Sequence, residues 1–147
     1  MNKNYLIQIL QECLHRVYET DAYLLEIDID ERCINHRLAM YLTERLETDE
    51  LKVDTEYNRH LVDMKYYEEN TYGSIDILFH QRGLDNNNIA AFECKKEAIS
   101  ETDIAKIHAL IGPDFNYQYG VTIEYRSKEV KLYQMIDEDI IEEIIEI

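Results

Sequence analysis

The stretch SIDILFHQRGLDNNNIAAFECKK, residues 74–96, decides the fold of this chain. Two apolar runs, 74–81 and 89–96, flank the turn-forming sequence GLDNNN at 83–88. Short runs rich in Ile, Phe and Ala that are separated by Gly, Asn and Asp indicate two strands joined by a turn. The stretch therefore predicts an antiparallel hairpin at the centre of the chain.

The flanking sequence predicts helices and further strands around this hairpin. Helical spacing of apolar residues predicts a helix over 5–19 and a second helix that begins at Asp28 or Asp30 and ends near Glu47. The other expected elements are a loop or short turn at 22–29, a strand at 51–57, a long Tyr-rich loop at 60–73, a helix at 101–112, and strands at 119–125 and 129–135. The tail DEDIIEEIIEI (137–147) suits a short amphipathic helix or a frayed acidic end. This order predicts an α/β fold, a mixed central β-sheet flanked by helices.

The length of 147 residues fits a single domain. We divide residues 1–147 into an N-terminal helical extension (1–30), a core (31–135) and an acidic tail (136–147). No apolar run approaches the length of a membrane span, and the N-terminus lacks a signal-peptide pattern. Three cysteines, an odd number without metal-type spacing, favour a reducing, cytoplasmic setting.

Acidic residues outnumber basic ones by 31 to 15, which gives a formal net charge of −16. Residues 132–147 hold six acidic residues and no basic one. Binding to nucleic acid without sequence preference depends on neutralising phosphates with Lys and Arg. The composition therefore excludes a protein that coats DNA or RNA through its overall charge.

Charged residues interrupt both strands of the hairpin. Strand alternation places Asp76 opposite the face of Ile75, Ile77 and Phe79, and it places Glu93 and Lys95 together on one face of the next strand. Two carboxylates on adjacent strands can hold a divalent cation, and a neighbouring Lys can orient water or stabilise negative charge. The alternative is a cross-strand cluster of acids and bases on a solvated face.

Glu31 is a fourth candidate. On a helical wheel it lies within the sector of Leu38 and Leu42, so its carboxylate is expected to point towards the sheet. The alternative is an acid in a first helical turn that only complements the helix dipole.

Several separated stretches, spanning about 31–125, carry a resemblance to a known family. They are DERCINHRLAMYLTERL (30–46), VDTEYNRH (53–60), GSIDILFHQRG (73–83), NIAAFECKK (88–96) and DIAKIHALIG…YQYGVTIEY (103–125). Together they resemble the PD-(D/E)XK, or restriction-endonuclease-like, nuclease superfamily, and in particular its small stand-alone bacterial members. Ile75 stands where the motif name has Pro.

The resemblance implies a restriction-endonuclease-like core and a Mg²⁺- or Mn²⁺-dependent nuclease of bacterial defence or DNA processing. Asp76 and Glu93 would be metal ligands, joined by Glu31 and by the backbone carbonyl of Cys94. Lys95 would position the attacking water. The expected partner is nucleic acid, DNA rather than RNA, and the reaction is phosphodiester hydrolysis.

Arg59, Arg82 and Lys96 are candidates for contacts with substrate phosphate, and each is alternatively a solvated charge. His80 shares a face with Asp76, so it is either a support for the site or an ordinary surface or core histidine. Lys106 would widen a positive rim around the site or only offset acids. Three tyrosines of the 60–73 loop could stack on bases, or they could only reflect the high tyrosine content of the chain: Tyr66, Tyr67 and Tyr72.

A second function also fits the sequence. It is a catalytically silent, acidic interaction protein on the same fold, which binds a basic partner or mimics the charge of nucleic acid. A homodimer or a complex with another protein fits both functions, with the Ile-rich tail as a contact.

Overall fold

The computed structural model describes residues 1–60, 63–64, 66–68 and 71–147, with side chains described for 1–58 and 73–147. The helices are α1 (Lys3–Thr20), α2 (Ala22–Glu26), α3 (Glu31–Leu46) and α4 (Glu101–Ile111). The strands are β1 (Lys52–Tyr57), β2 (Arg59–His60), β3 (Asp63–Met64), β4 (Tyr66–Glu68), β5 (Thr71–Tyr72), β6 (Ile75–His80), β7 (Asn88–Lys95), β8 (Tyr119–Glu124), β9 (Glu129–Ile136) and β10 (Asp139–Ile145).

Six strands form one mixed sheet in the order β1-β6-β7-β8-β9-β10. The central hairpin is confirmed: β6 pairs antiparallel with β7. The pair β7–β8 is parallel, and α4 connects its two strands; the other pairs in the sheet are antiparallel. The predicted α/β fold with a mixed sheet and flanking helices is therefore confirmed.

Helices cover the two faces of the sheet with separate apolar cores. Helices α1 and α3 pack on one face, against side chains such as Phe92 and Val121. Helix α4 packs on the other face, against Leu78, Ala91 and Tyr133. Alternate residues of β7 thus enter different cores, because neighbouring side chains of a strand point to opposite faces.

Gly120 sets how closely α4 approaches the sheet. A Cβ atom at Gly120 would lie 2.3 Å from Cγ2 of Ile107 and 3.2 Å from Cγ2 of Ile111. Only a residue without a side chain therefore fits beneath this helix without moving it.

The N-terminal helix contacts the last strand. Nζ of Lys3 lies 2.6 Å from Oε2 of Glu143, and Nε2 of Gln11 donates to the carbonyl of Glu146 at 2.8 Å. Ile145 is buried in the same core as α1. These contacts close the α1–α3 side of the sheet.

Three local predictions differ from the structure. The tail is neither a helix nor a frayed end, because β10 pairs with β9 along seven residues. Residues 22–29 include the short helix α2 rather than only a loop. The expected 60–73 loop contains two short ladders, β2–β3 and β4–β5, in its described backbone. None of the helices in the described part of the chain combines the length and apolar character that crossing a bilayer requires.

Candidate active site

The sheet register brings Asp76 and Glu93 together. Ile77 pairs with Phe92 across the antiparallel β6–β7 ladder, so the preceding and following residues, Asp76 and Glu93, are neighbours. Oδ2 of Asp76 accepts a hydrogen bond from the backbone N–H of Cys94 at 2.8 Å. The Glu93 side chain is only 1% exposed. Two acids that are 17 residues apart in sequence thus lie side by side in a largely buried position beneath α4.

Lys95 and Glu31 complete the group. Nζ of Lys95 donates to Oε1 of Glu31 at 3.1 Å, and Oε2 of Glu31 accepts from the backbone N–H of Lys96 at 3.2 Å. Glu31 is the first residue of α3, whose N-cap Asp30 accepts from the N–H of Arg32. The helix start thus holds a carboxylate against the end of β7, as the helical wheel predicts.

Helix α4 contributes two further residues: Asp103, which was not predicted as a member of the site, and Lys106, which was expected either to widen a positive rim around the site or to offset acids. Nζ of Lys106 donates to Oε1 of Glu93 at 3.1 Å. Oδ1 of Asp103 lies 3.9 Å from Nζ of Lys95, while its Oδ2 accepts from the backbone and the hydroxyl of Ser100. The S-x-x-D capping sequence at 100–103 indicates the start of a helix. Lys106 follows Asp103 by three residues, so both side chains lie on the same side of that helix. This spacing is the signal that points to both residues.

Burial and like charge raise the pKa of Glu93 to about 8. Burial is the larger cause, and the charge of Asp76 adds to it. The ion pair with Lys106 acts in the opposite direction without cancelling the shift, and Asp103 raises the pKa further. The Glu93 carboxyl therefore releases its proton at a higher pH than an exposed glutamate does.

The pKa of Asp76 is also raised, first by burial and then by the charges of Glu56 and Glu31. The Cys94 N–H and the Lys95 ammonium only partly offset this. For both neighbouring carboxyls, burial is the first cause of the raised pKa, and neighbouring acids add to it.

Lys95 remains a cation in this setting. Burial acts to lower the pKa of Lys95, but the hydrogen bond to Glu31 and the charges of Asp103, Glu31 and Asp76 together raise it above its ordinary value. Lys95 is therefore suited to hold negative charge or orient a water, and not to accept a proton at neutral pH.

Glu56 on β1 was also missed by sequence reasoning. Its Oε2 accepts from the hydroxyl of Ser74 at 2.9 Å, and its backbone has φ of 51°, in the left-handed region. Its charge raises the pKa of Asp76. No sequence signal marks Glu56, because the alternation of apolar and polar residues does not reveal that a strand bends at a glutamate.

An open cleft of about 440 Å³ lies beside the site. Residues 29–32 at the start of α3 form one wall and residues 95–98 after β7 form the other. Glu31 and Lys95 line the cleft, whereas Asp76 and Glu93 do not. A substrate entering here would meet Glu31 and Lys95 first.

Two of the expected phosphate contacts are held by acids of the protein. Arg82 forms a two-point ion pair with Asp54, with Nε 2.7 Å from Oδ2. Burial acts to raise the pKa of Asp54, but the bonds from Arg82 and His80 hold it well below its usual range. Nζ of Lys96 donates to the carbonyl of Ile29 at 2.8 Å and to Asp28.

His80 does not support the candidate site, and the candidates in the 59–72 segment cannot be placed beside it. His80 is buried, with Nε2 3.0 Å from Asp54 and Nδ1 3.3 Å from the hydroxyl of Tyr117, so it belongs to the Asp54 cluster and not to Asp76. The remaining candidates have side chains outside the described residues: Arg59, Tyr66, Tyr67 and Tyr72.

The oxygen donors fit a hard divalent cation by their chemistry. Mg²⁺ and Mn²⁺ prefer carboxylate oxygens, and a cation at Asp76 and Glu93 would place positive charge beside two carboxyls whose pKa values are raised. Within the described residues, no three His, Cys, Asp or Glu side chains stand ready as a metal-binding group. Glu93 and Glu31 are instead paired with Lys106 and Lys95.

Comparison with known proteins returns no relative. No model of a protein family matches the chain, and neither a curated protein nor a solved structure matches it.

Proposed function

We propose that this protein is a Mg²⁺- or Mn²⁺-dependent nuclease that hydrolyses phosphodiester bonds. The observation that carries the proposal is the meeting of Asp76 and Glu93, both with raised pKa, beside the Lys95–Glu31 ion pair. The mixed sheet with helices on both faces is compatible with the restriction-endonuclease-like core that the sequence resembles.

Each side chain has a role that its surroundings support. Asp76 and Glu93 hold the cation through carboxylate oxygens, and Glu31 and the carbonyl of Cys94 are further ligand candidates. When bound, the cation activates water and offsets the charge of the leaving oxygen. Lys95 stays protonated, so it orients the water and stabilises the negative phosphate oxygens.

The reaction exchanges one bond to phosphorus for another. The oxygen of a water molecule attacks phosphorus while the bond from phosphorus to the leaving sugar oxygen breaks. A proton from solvent neutralises the leaving oxygen, and the attacking water loses a proton to solvent. No oxidant or second substrate is required.

The expected substrate is DNA, in bacterial defence or DNA processing within the cytoplasm. The net charge of −16 opposes binding to nucleic acid, and Lys96 and Arg82 are already paired with acids. Substrate affinity therefore depends on the bound cation, on Lys95, or on a separate protein.

The first test is calorimetric titration of Mn²⁺ into the wild type and Asp76→Asn. It needs no knowledge of the substrate. We expect saturable binding at pH 8.5 that Asp76→Asn removes, with an unchanged circular dichroism spectrum. Glu129→Gln is the control, because Glu129 is an exposed acid two residues before a lysine on β9. Binding that survives Asp76→Asn would overturn the assignment of the site.

The second test is cleavage of plasmid, linear duplex, single-stranded DNA and RNA with Mn²⁺ present. We expect Lys95→Ala to lose activity by about a hundredfold or more while it still binds Mn²⁺. Lys131→Ala, which alters a lysine at the same spacing after an acid, is expected to cleave at the wild-type rate. Equal activity of Lys95→Ala and wild type would contradict the role of Lys95.

A further inference from the structure

The outer edge of β10 lies on the sheet away from the candidate active site. β10 is the last strand of the sheet and pairs with β9 over seven residues without a bulge. β8 and β9 lie between it and β7, so at about 4.8 Å per strand its edge is about 14 Å from the strand of Glu93. The edge is therefore accessible without disturbing the site.

The turn before β10 fixes which backbone groups face outward. Asp137 and Glu138 have φ of 50° and 71°, the left-handed conformation of a two-residue type I′ hairpin. Such a turn makes its flanking residues, Ile136 and Asp139, a hydrogen-bonded pair. Because bonded and non-bonded pairs alternate in an antiparallel ladder, the N–H groups of residues 140, 142 and 144 point away from β9.

Exposed apolar side chains are concentrated around this edge. Eleven large apolar side chains are exposed among the described residues, and six of them fall within 135–147: Met135, Ile136, Ile140, Ile141, Ile144 and Ile147. Ile144 is 67% exposed. Natural edge strands are usually protected by charged side chains, above all Lys, by Pro, by a bulge or by a covering element. β10 has no Lys, Pro or bulge; it carries three acids, and the backbone hydrogen bond from α1 reaches the chain beyond the strand, at the Glu146 carbonyl. A cluster of exposed apolar side chains at a strand edge is typical of a surface that receives a partner.

The charge of the segment selects the partner. Residues 132–147 carry six acids and no basic residue. Two of the acids are already paired, Glu142 with Lys131 and Glu143 with Lys3. A second copy of β10 would bring the same acids opposite one another, and like charges across a ladder are destabilising. A basic strand would instead be attracted.

We propose that the β10 edge binds a partner protein by accepting an added β-strand in which apolar and basic side chains alternate. Main-chain hydrogen bonds from residues 140, 142 and 144 hold the added strand, as in other cases of strand addition. Its apolar side chains cover Ile140 and Ile144, and its basic side chains lie on the other face of the sheet, beside Asp139 and Glu143. The proposal does not depend on the nuclease assignment.

The test uses an eight-residue peptide, blocked at both ends, that alternates Val and Lys. Fluorescence anisotropy with the full chain measures its affinity. A peptide with its two central residues replaced by Pro and a Val–Glu peptide are controls. We expect the Val–Lys peptide to bind, and both controls to bind at least about tenfold more weakly.

A matched pair of variants separates strand addition from charge attraction. Glu142→Pro removes an outward N–H, whereas Glu142→Gln removes the same charge and keeps the N–H. Pro is tolerated at strand edges where its nitrogen faces solvent. We expect about tenfold weaker binding for Glu142→Pro than for Glu142→Gln. An equal loss in both variants would overturn strand addition.

Hydrogen exchange on the wild type decides the matter if Glu142→Pro does not fold. The peptide is expected to slow exchange at the amides of residues 140, 142 and 144 and to leave that of 143, already bonded to β9, unchanged. Binding without protection of these three amides would refute the proposal. Protection that appears without peptide and increases with protein concentration would identify a second copy as the occupant and refute the basic partner.

Discussion

Replacing Glu93 by Gln should stabilise the metal-free protein at alkaline pH. The pKa of Glu93 is about 8 in the folded protein against an ordinary value of 4.5. Between these values the folded state holds a proton that the unfolded state has released, so the stability of the wild type falls as pH rises. The stability that the protonated Glu93 gives to the folded state is fully present below pH 4.5 and is lost above pH 8.

The size of the effect follows from the shift. The pKa of Glu93 is about 8 against an ordinary 4.5, and each tenfold change in proton affinity corresponds to about 1.4 kcal/mol, which gives about 5 kcal/mol between pH 4.5 and pH 8.5. Gln cannot ionise and still accepts the hydrogen bond from Lys106. We therefore expect Glu93→Gln and wild type to be equally stable near pH 4.5, and the variant to exceed wild type by up to about 5 kcal/mol near pH 8.5.

The assay is urea unfolding followed by circular dichroism in EDTA at pH 5, 7 and 9. Other acids titrate in both proteins, so the difference between variant and wild type isolates Glu93. Glu129→Gln provides the control, since it replaces an exposed carboxylate on β9, outside the site. A difference for Glu93→Gln that is constant from pH 5 to 9 would refute the account of Glu93 as a buried carboxyl with a raised pKa.

Three further predictions concern packing and hydrogen bonds. Gly120→Ala should destabilise the protein by about 1–3 kcal/mol in urea unfolding, because its Cβ would overlap Cγ2 of Ile107; since Ile107→Ala removes that methyl group, the double variant is expected to lose less stability than the sum of the two single variants. Ser100→Ala should cost about 1 kcal/mol and speed amide exchange in the first turn of α4, because it breaks the capping box; unchanged exchange there would argue against the cap. Tyr125→Phe should lower stability by about 1–3 kcal/mol, because Asn35 then loses its buried donor at 2.8 Å; a thermal midpoint equal to that of wild type would contradict this.

The hairpin and the faces of its charged residues were predictable from sequence. Strand alternation is local, so Asp76, Glu93 and Lys95 could be assigned to one face before any tertiary contact was known. Glu31 was similarly assigned by helical period. What could be predicted was the direction of each side chain from its own element.

The contacts made by α4 could not be predicted in this way. The ion pair of Lys106 with Glu93 and the approach of Asp103 to Lys95 depend on which helix covers that face of the sheet. That choice follows from the parallel β7–β8 pairing and from the space left by Gly120. Neither the strand pairing nor this space can be deduced from the periodicity of apolar residues within one element.

The tail, residues 137–147, shows that a tertiary contact decides the secondary structure where the local sequence pattern is ambiguous. DEDIIEEIIEI has apolar residues at both helical and alternating spacings, so it suits a helix and a strand alike. The open edge of β9 decides between them by offering a hydrogen-bonded partner along seven residues. A pairing with a neighbouring strand is tertiary information, which propensity does not hold.

The contact between α1 and β10 has a consequence for biosynthesis. Residues 3 and 11 leave the ribosome long before their partners, residues 143 and 146, because the sequence separations are 140 and 135 residues. The helix therefore emerges with an apolar face that has no complete docking surface until β10 is made. The central β6–β7 hairpin can form much earlier, since its strands are close in sequence. Closure of the α1 side is thus a late step, and shielding of that face during translation favours correct folding.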